Sequence, residues 1–86
     1  MITREIVLNC PLGLTVDPAG MLCSEAVNFA SSISIEYEGG IANAKSMLNI
    51  LGASLRHGEK LRIVCEGEDE EAAAEKIASI LETAFV

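Results

Sequence analysis

The sequence predicts one α+β domain spanning residues 1–86, a four-stranded antiparallel sheet with helices on one face, in the order β-α-β-β-α-β-α. Three observations carry this. Short segments alternate apolar and polar residues at the period of half-buried strands, others repeat apolar residues at helical spacing, and no repeat, linker or low-complexity tract divides the 86 residues. Half of the chain is apolar and 22% is charged, the balance of a packed globule rather than a disordered polymer.

Residues 2–10 read as the first strand, with Ile6, Leu8 and Cys10 on one side and Thr3, Glu5 and Asn9 on the other. Pro11 ends it. Asp17-Pro18 is a favourable helix start, because Asp caps free N–H groups and Pro is tolerated at the first helical position. Ala19, Leu22, Ala26 and Phe29, with Cys23 and Ala30 beside them, then recur at helical spacing, so residues 18–30 are expected to form an amphipathic helix. Ile33, Ile35 and Tyr37 alternate with Ser34 and Glu36, and Gly39-Gly40 supplies the turn into a return strand over residues 41–44. Ser46 stands where an N-cap belongs, ahead of Met47-Leu48-Asn49-Ile50-Leu51, and Gly52 is expected to end this short helix in the left-handed conformation. After Gly58, Leu61, Ile63 and Cys65 mark a fourth strand. Asp69, Glu70 and Glu71 open a last helix at its positive end, with Ala73, Ile77, Ile80, Leu81 and Ala84 facing the core.

Several function classes are excluded on composition. No segment approaches the roughly 20 apolar residues that cross a bilayer, and the first ten residues mix Thr3, Arg4, Glu5 and Asn9 into apolar positions, unlike a secretory signal. A cytoplasmic location is expected. Cys10, Cys23 and Cys65 are an odd, widely spaced set without a C-x-x-C pair, and read as reduced, buried small hydrophobes. The single histidine, His57, has no cluster of matching ligands, so neither metal nor cofactor is expected. Thirteen acidic against six basic residues give a net charge of −7 without a basic stripe. Direct contact with nucleic acid or an anionic membrane is not expected.

The stretch over residues 11–20 and the run Asn43-Ala44-Lys45-Ser46 carry a family resemblance. Gly13, Leu14, Pro18 and Ala19 stand as in the motif G-[LI]-H-[AT]-R-P-A, and the acidic run of residues 66–72 before the last helix follows the same order. In these features the chain resembles HPr, the histidine-containing phosphocarrier family of the bacterial sugar phosphotransferase system. The resemblance implies an open-faced β-sandwich, a carrier role rather than an enzymatic one, and protein partners. It places Thr15 at the position of the phosphoryl-accepting histidine and Asp17 at that of the arginine. A ferredoxin-like domain shares the element order up to the fourth strand; the very short second helix followed by a full-length last one favours the open-faced fold.

In the family the phosphorylated imidazole sits before a helix whose N–H groups and dipole stabilise the phosphate, and the arginine adds charge-assisted hydrogen bonds. Thr15 forms only a stable ester, and Asp17 puts a negative charge where a cation belongs. Two readings of Asp17 compete: a built-in anion imitating the phosphorylated state, or a plain N-cap stabilising by roughly 0.5–2 kcal/mol over Ala. The first helix also lacks Lys and Arg from Pro18 to Ala30, whereas the family's phosphotransferase partners dock on basic and apolar residues. The general phosphotransferase enzyme is therefore not an expected partner.

Ser46 matches the regulatory serine that, in many Gram-positive members, an ATP-dependent kinase phosphorylates so that the domain becomes a corepressor of a catabolite-control transcription factor. A phosphate at a helix start adds about −1.5 to −2 charge at its positive end, Lys45 is available to pair with it, and an unmodified Ser is an equally good cap. Met47, Leu48 and Leu51 lie on the corresponding docking surface, with Met47 and Leu51 expected exposed and Ile50 in the core. The expected function is a non-phosphocarrier regulatory or protein-binding module acting through Ser46 and this patch. The alternatives are a phosphocarrier with an altered site, for which His57 is the candidate, and a small-molecule-sensing ferredoxin-like domain.

Overall fold

The computed structural model describes residues 1–84, and of Ala84 the backbone alone. Its elements are β1 (Ile2–Val7), α1 (Val16–Ala26), β2 (Ser32–Tyr37), β3 (Gly40–Asn43), α2 (Met47–Ala53), β4 (Lys60–Glu66) and α3 (Glu70–Ser79), continued by a π-helical turn over Ile80–Ala84. The strands form one sheet in the order β1-β4-β2-β3, every neighbouring pair antiparallel. Period-2 alternation sorts its two faces. Ile6 pairs with Leu61, Ile35 with Ile63 and Ile33 with Cys65, and all six are buried under the helices with Leu22, Ile50, Ile77 and Leu81. The opposite face carries the exposed row Glu5–Arg62–Glu36, with Arg62 3.1 Å from Glu5 and 3.8 Å from Glu36. Such solvent-exposed pairs contribute little to stability.

The seven-residue α2 and the longer α3 bear out the open-faced expectation. β1 ends at Val7, earlier than expected, although Leu8 and Cys10 remain buried as the alternation required. The expected core role of Ala84 lies outside the described residues. All three cysteines are free and buried, and burial raises the thiol pKa of Cys23 and Cys65, which favours their protonated form.

α1 differs from its expected bounds at both ends. It begins at Val16 with Thr15 as N-cap, and it stops at Ala26 although apolar residues recur to Ala30. The stop has a cause far away in sequence. Asp69, just before α3, accepts hydrogen bonds from the Ser31 hydroxyl and, at 2.9 Å each, from the backbone N–H groups of Ala30 and Ser31. Those donors are thereby withdrawn from any helical continuation, and Phe29 is left half-buried with Ala30 exposed. The bonds favour the charged form and draw the Asp69 carboxyl down from 3.8 to about 2.

A carboxyl with a depressed folded-state pKa stabilises fully above its unfolded value and loses that contribution as pH falls. For Asp69 the window runs from about 3.8 down to about 2. Asp69→Asn keeps an acceptor oxygen but removes the titrating charge. The variant should be less stable at neutral pH and show a flatter fall in stability through that window, followed by urea titration at each pH. Equal slopes in parent and variant would assign the acid response to other carboxylates.

Candidate functional site

The first candidate position is the turn into α1. Gly13 N–H donates to Cys10 O at 2.9 Å, the Cys10 thiol donates to Gly13 O at 2.8 Å, and Leu14 N–H donates to Leu55 O at 3.0 Å. Gly13 adopts φ +78°, and a Cβ there would stand 2.6 Å from Leu55 O. A side chain would therefore separate this turn from the α2–β4 loop. Leu14 is buried, which pins the turn and leaves Thr15 exposed at the mouth of the helix. The Thr15 backbone is extended, its carbonyl accepts from Ala19 N–H at 2.9 Å, and its hydroxyl makes no capping bond.

Asp17 is not the N-cap that its place before Pro18 suggested. The cap is Thr15, because the Gly13 turn delivers the chain into helical geometry two residues sooner, and Pro18 sits at the third helical position. Asp17 lies exposed in the first turn, where its charge interacts with the helix dipole only. α1 contains no Lys or Arg. His57 is exposed in the α2–β4 loop with Nε2 3.3 Å from Asn9 Oδ1. It lines a hollow with Asn9 and Glu82, away from Thr15.

The second position is the start of α2. Ser46 is its N-cap as expected, accepting from Asn49 N–H at 3.3 Å through its hydroxyl oxygen. Two asparagines complete the turn: Asn43 N–H donates to Asn49 Oδ1 at 3.3 Å, and Lys45 N–H donates to Asn43 Oδ1 at 3.0 Å. Neither was given this role from the sequence, although the Ser-x-x-Asn spacing resembles a capping box. The Lys45 ammonium donates to Phe29 O at 2.7 Å. It ties the β3–α2 turn to the chain leaving α1, instead of standing beside Ser46 as a phosphate partner.

The apolar residues of α2 are also placed differently. Leu48 is 82% exposed, while Met47 and Leu51 are half-buried against the core. Docking Ile50 into the core turns Met47, three residues before it, inward together with Leu51, which lies four residues after Met47, and leaves Leu48 outside. The residue that ends α2 is Ser54, left-handed at φ 52°, and not Gly52, which lies within the helix.

Comparison with known proteins decides the family. The family model described as the PTS HPr component phosphorylation site matches residues 2–83. The chain belongs to the HPr family. Phosphocarrier protein HPr of Lysinibacillus sphaericus is 38% identical over 81 residues, covering 94% of this chain and 92% of that one. The crystal structure of phosphocarrier protein HPr from Bacillus anthracis superposes with a TM-score of 0.90 at 31% identity, covering 94% and 96% of the two chains. The solution structure of Crh, the Bacillus subtilis catabolite repression HPr, gives 0.72 at 28% identity over 95% and 98%. The β-α-β-β-α-β-α order and open-faced sheet are those of the HPr fold, and among the described residues no helix is long and apolar enough to cross a membrane.

Proposed function

We propose that this HPr-family chain is a regulatory, protein-binding member that does not relay phosphate, and that it works through Ser46 and the surface around Leu48. One observation carries the reading. Thr15 and Asp17 occupy the exposed mouth of α1, where a phosphocarrier needs an imidazole and a cation, while Ser46 keeps its place at the start of α2. A threonine phosphate is an ester that does not pass its phosphoryl group onward, and Asp17 repels an incoming anion. Likeness to Crh, a catabolite repression HPr, supports the same reading. The partners that fit are a serine kinase of the HPr type and a catabolite-control transcription factor in a cytoplasmic setting.

With Lys45 engaged elsewhere, a phosphate on Ser46 meets the free N–H groups of α2 as its local positive potential. Leu48 then offers an apolar anchor about half a turn away. Met47 and Leu51 support the helix from below, so the docking surface centres on Leu48.

Incubation with phosphoenolpyruvate and the general phosphotransferase enzyme should leave the intact mass unchanged, and Thr15→His with Asp17→Arg should gain one acid-labile phosphate. A family serine kinase with ATP should add one acid-stable phosphate, absent in Ser46→Ala. Acid-labile phosphate on the parent chain would overturn the non-carrier reading and point to His57.

A further inference from the structure

The turn that carries Ser46 is closed by side-chain amides. Asn43 N–H donates to Asn49 Oδ1, Lys45 N–H donates to Asn43 Oδ1, and Asn49 N–H donates to Ser46 Oγ. The first of these bonds fixes which way the Asn49 amide points, because a backbone N–H only donates and must meet the oxygen. Its nitrogen end is left over. Among the described residues Asn49 Nδ2 has no hydrogen-bond partner, and Asn49 is exposed. The side chain three residues past an N-cap is the one that reaches back over the cap, so this free donor belongs to the residue best placed to meet a group attached to Ser46.

Charge singles out the same amide. A capping box carries Glu or Gln at this place, and a Glu would set a carboxylate against any negative group on Ser46. Asn supplies the acceptor without the charge. The surrounding sequence agrees: thirteen residues of the chain are acidic, yet none lies between Glu38 and Glu59. Lys45 stands in this acid-free stretch, but its ammonium is bonded to Phe29 O at 2.7 Å. The extended backbone of Ser46, at φ −114° and ψ 112°, also turns neighbouring side chains to opposite sides. Lys45 therefore faces the exit of α1, and Asn49 faces the cap.

We infer that Asn49 is the positioning residue for a phosphate on Ser46, with Nδ2 donating to a phosphate oxygen while Oδ1 stays on Asn43 N–H. This rests on the regulatory reading of Ser46 and adds to it the side chain that receives the mark. Asn49 takes no part in the transfer itself. A hydrogen bond to the charged form favours that form, so the phosphate gives up its second proton more readily beside Asn49 than beside a side chain without a donor. The mark then tightens the turn between β3 and α2 instead of opening it.

The test places phosphoserine at position 46 during synthesis, so that it does not depend on a kinase; a kinase that ignores Ser46 would overturn the regulatory reading and leave this measurement standing. Phosphorus NMR then follows the phosphate against pH in the parent, Asn49→Ala, Asn49→Asp and Lys45→Met. A phosphoserine loses its second proton at about pH 6. The parent's midpoint should lie below that of Asn49→Ala, Asn49→Asp should give the highest of the four, and Lys45→Met should move it less than Asn49→Ala does. Phosphorylation should also raise Tm more in the parent than in Asn49→Ala, each compared with its own unphosphorylated form, so that the structural role of the cap cancels. Equal midpoints in the parent and Asn49→Ala overturn the proposal. So does a larger displacement by Lys45→Met, which would assign the phosphate to the ammonium.

Discussion

Replacing Gly67 by alanine is expected to destabilise the domain by about 3 kcal/mol or more, combining a strained backbone with an overpacked contact. Gly67 ends β4 at φ +151°, where L side chains are rarely found. A Cβ there would stand 2.6 Å from Ser31 Cα, 2.7 Å from Ser31 Oγ and 2.9 Å from Ser31 Cβ. Backbone cannot yield as a side-chain tip does. Ser31 is itself fully buried and bonded to Asp69, and Gly67 N–H donates to Glu70 Oε1 at 3.1 Å, so a shift would break the junction from both sides. Urea unfolding should show a lower midpoint with the slope retained. A Gly67→Ala midpoint equal to the parent's would mean that the β4–α3 turn has freedom this packing does not suggest.

Ile50→Ala should cost about 2–5 kcal/mol, the range for emptying a well-packed aliphatic site, out of a total near 5–15 kcal/mol for a domain of this kind. Ile50 is the only fully buried residue of α2; Met47 and Leu51 only rest against the core. The loss should be concentrated in the helix that begins at Ser46, read as faster amide exchange over Met47–Ala53 than over the sheet. Leu48→Ala, on the same helix but 82% exposed, should fall within about 0.5 kcal/mol of the parent. If the two substitutions cost the same, α2 is not anchored through Ile50.

What could be read from the sequence was whatever depended on neighbours in the chain. Alternation named the inward residues of β2, β4 and the first extended segment, the Gly39-Gly40 turn located the hairpin, and Ser46 was recognisable as a cap from its own segment. Most of the departures have causes at a distance. α1 ends early because Asp69 takes the N–H groups of Ala30 and Ser31 across 39 and 38 positions of sequence. Thr15 replaces Asp17 as cap because the Gly13 turn is held against Leu55. Leu48 faces out, and Met47 and Leu51 do not, because a seven-residue helix carries too weak a periodicity to say which side meets the core. Lys45 looked free beside Ser46 because its acceptor, Phe29 O, belongs to another part of the chain.

The pairing of β1 with β4 bears on how the domain is made. Ile2 lies opposite Cys65, so β1 finds its strand partner, the only one among the described residues, more than fifty residues further along the chain. At a synthesis rate of roughly 5–20 residues per second, β1 leaves the ribosome seconds before β4 exists, whereas the β2–β3 hairpin needs only adjacent residues. Sheet closure is therefore a late, non-local event, with the slow folding that high contact order brings. Until it happens Ile2 and Ile6 have no strand to lie against, so the newborn chain is most open to mispairing at β1.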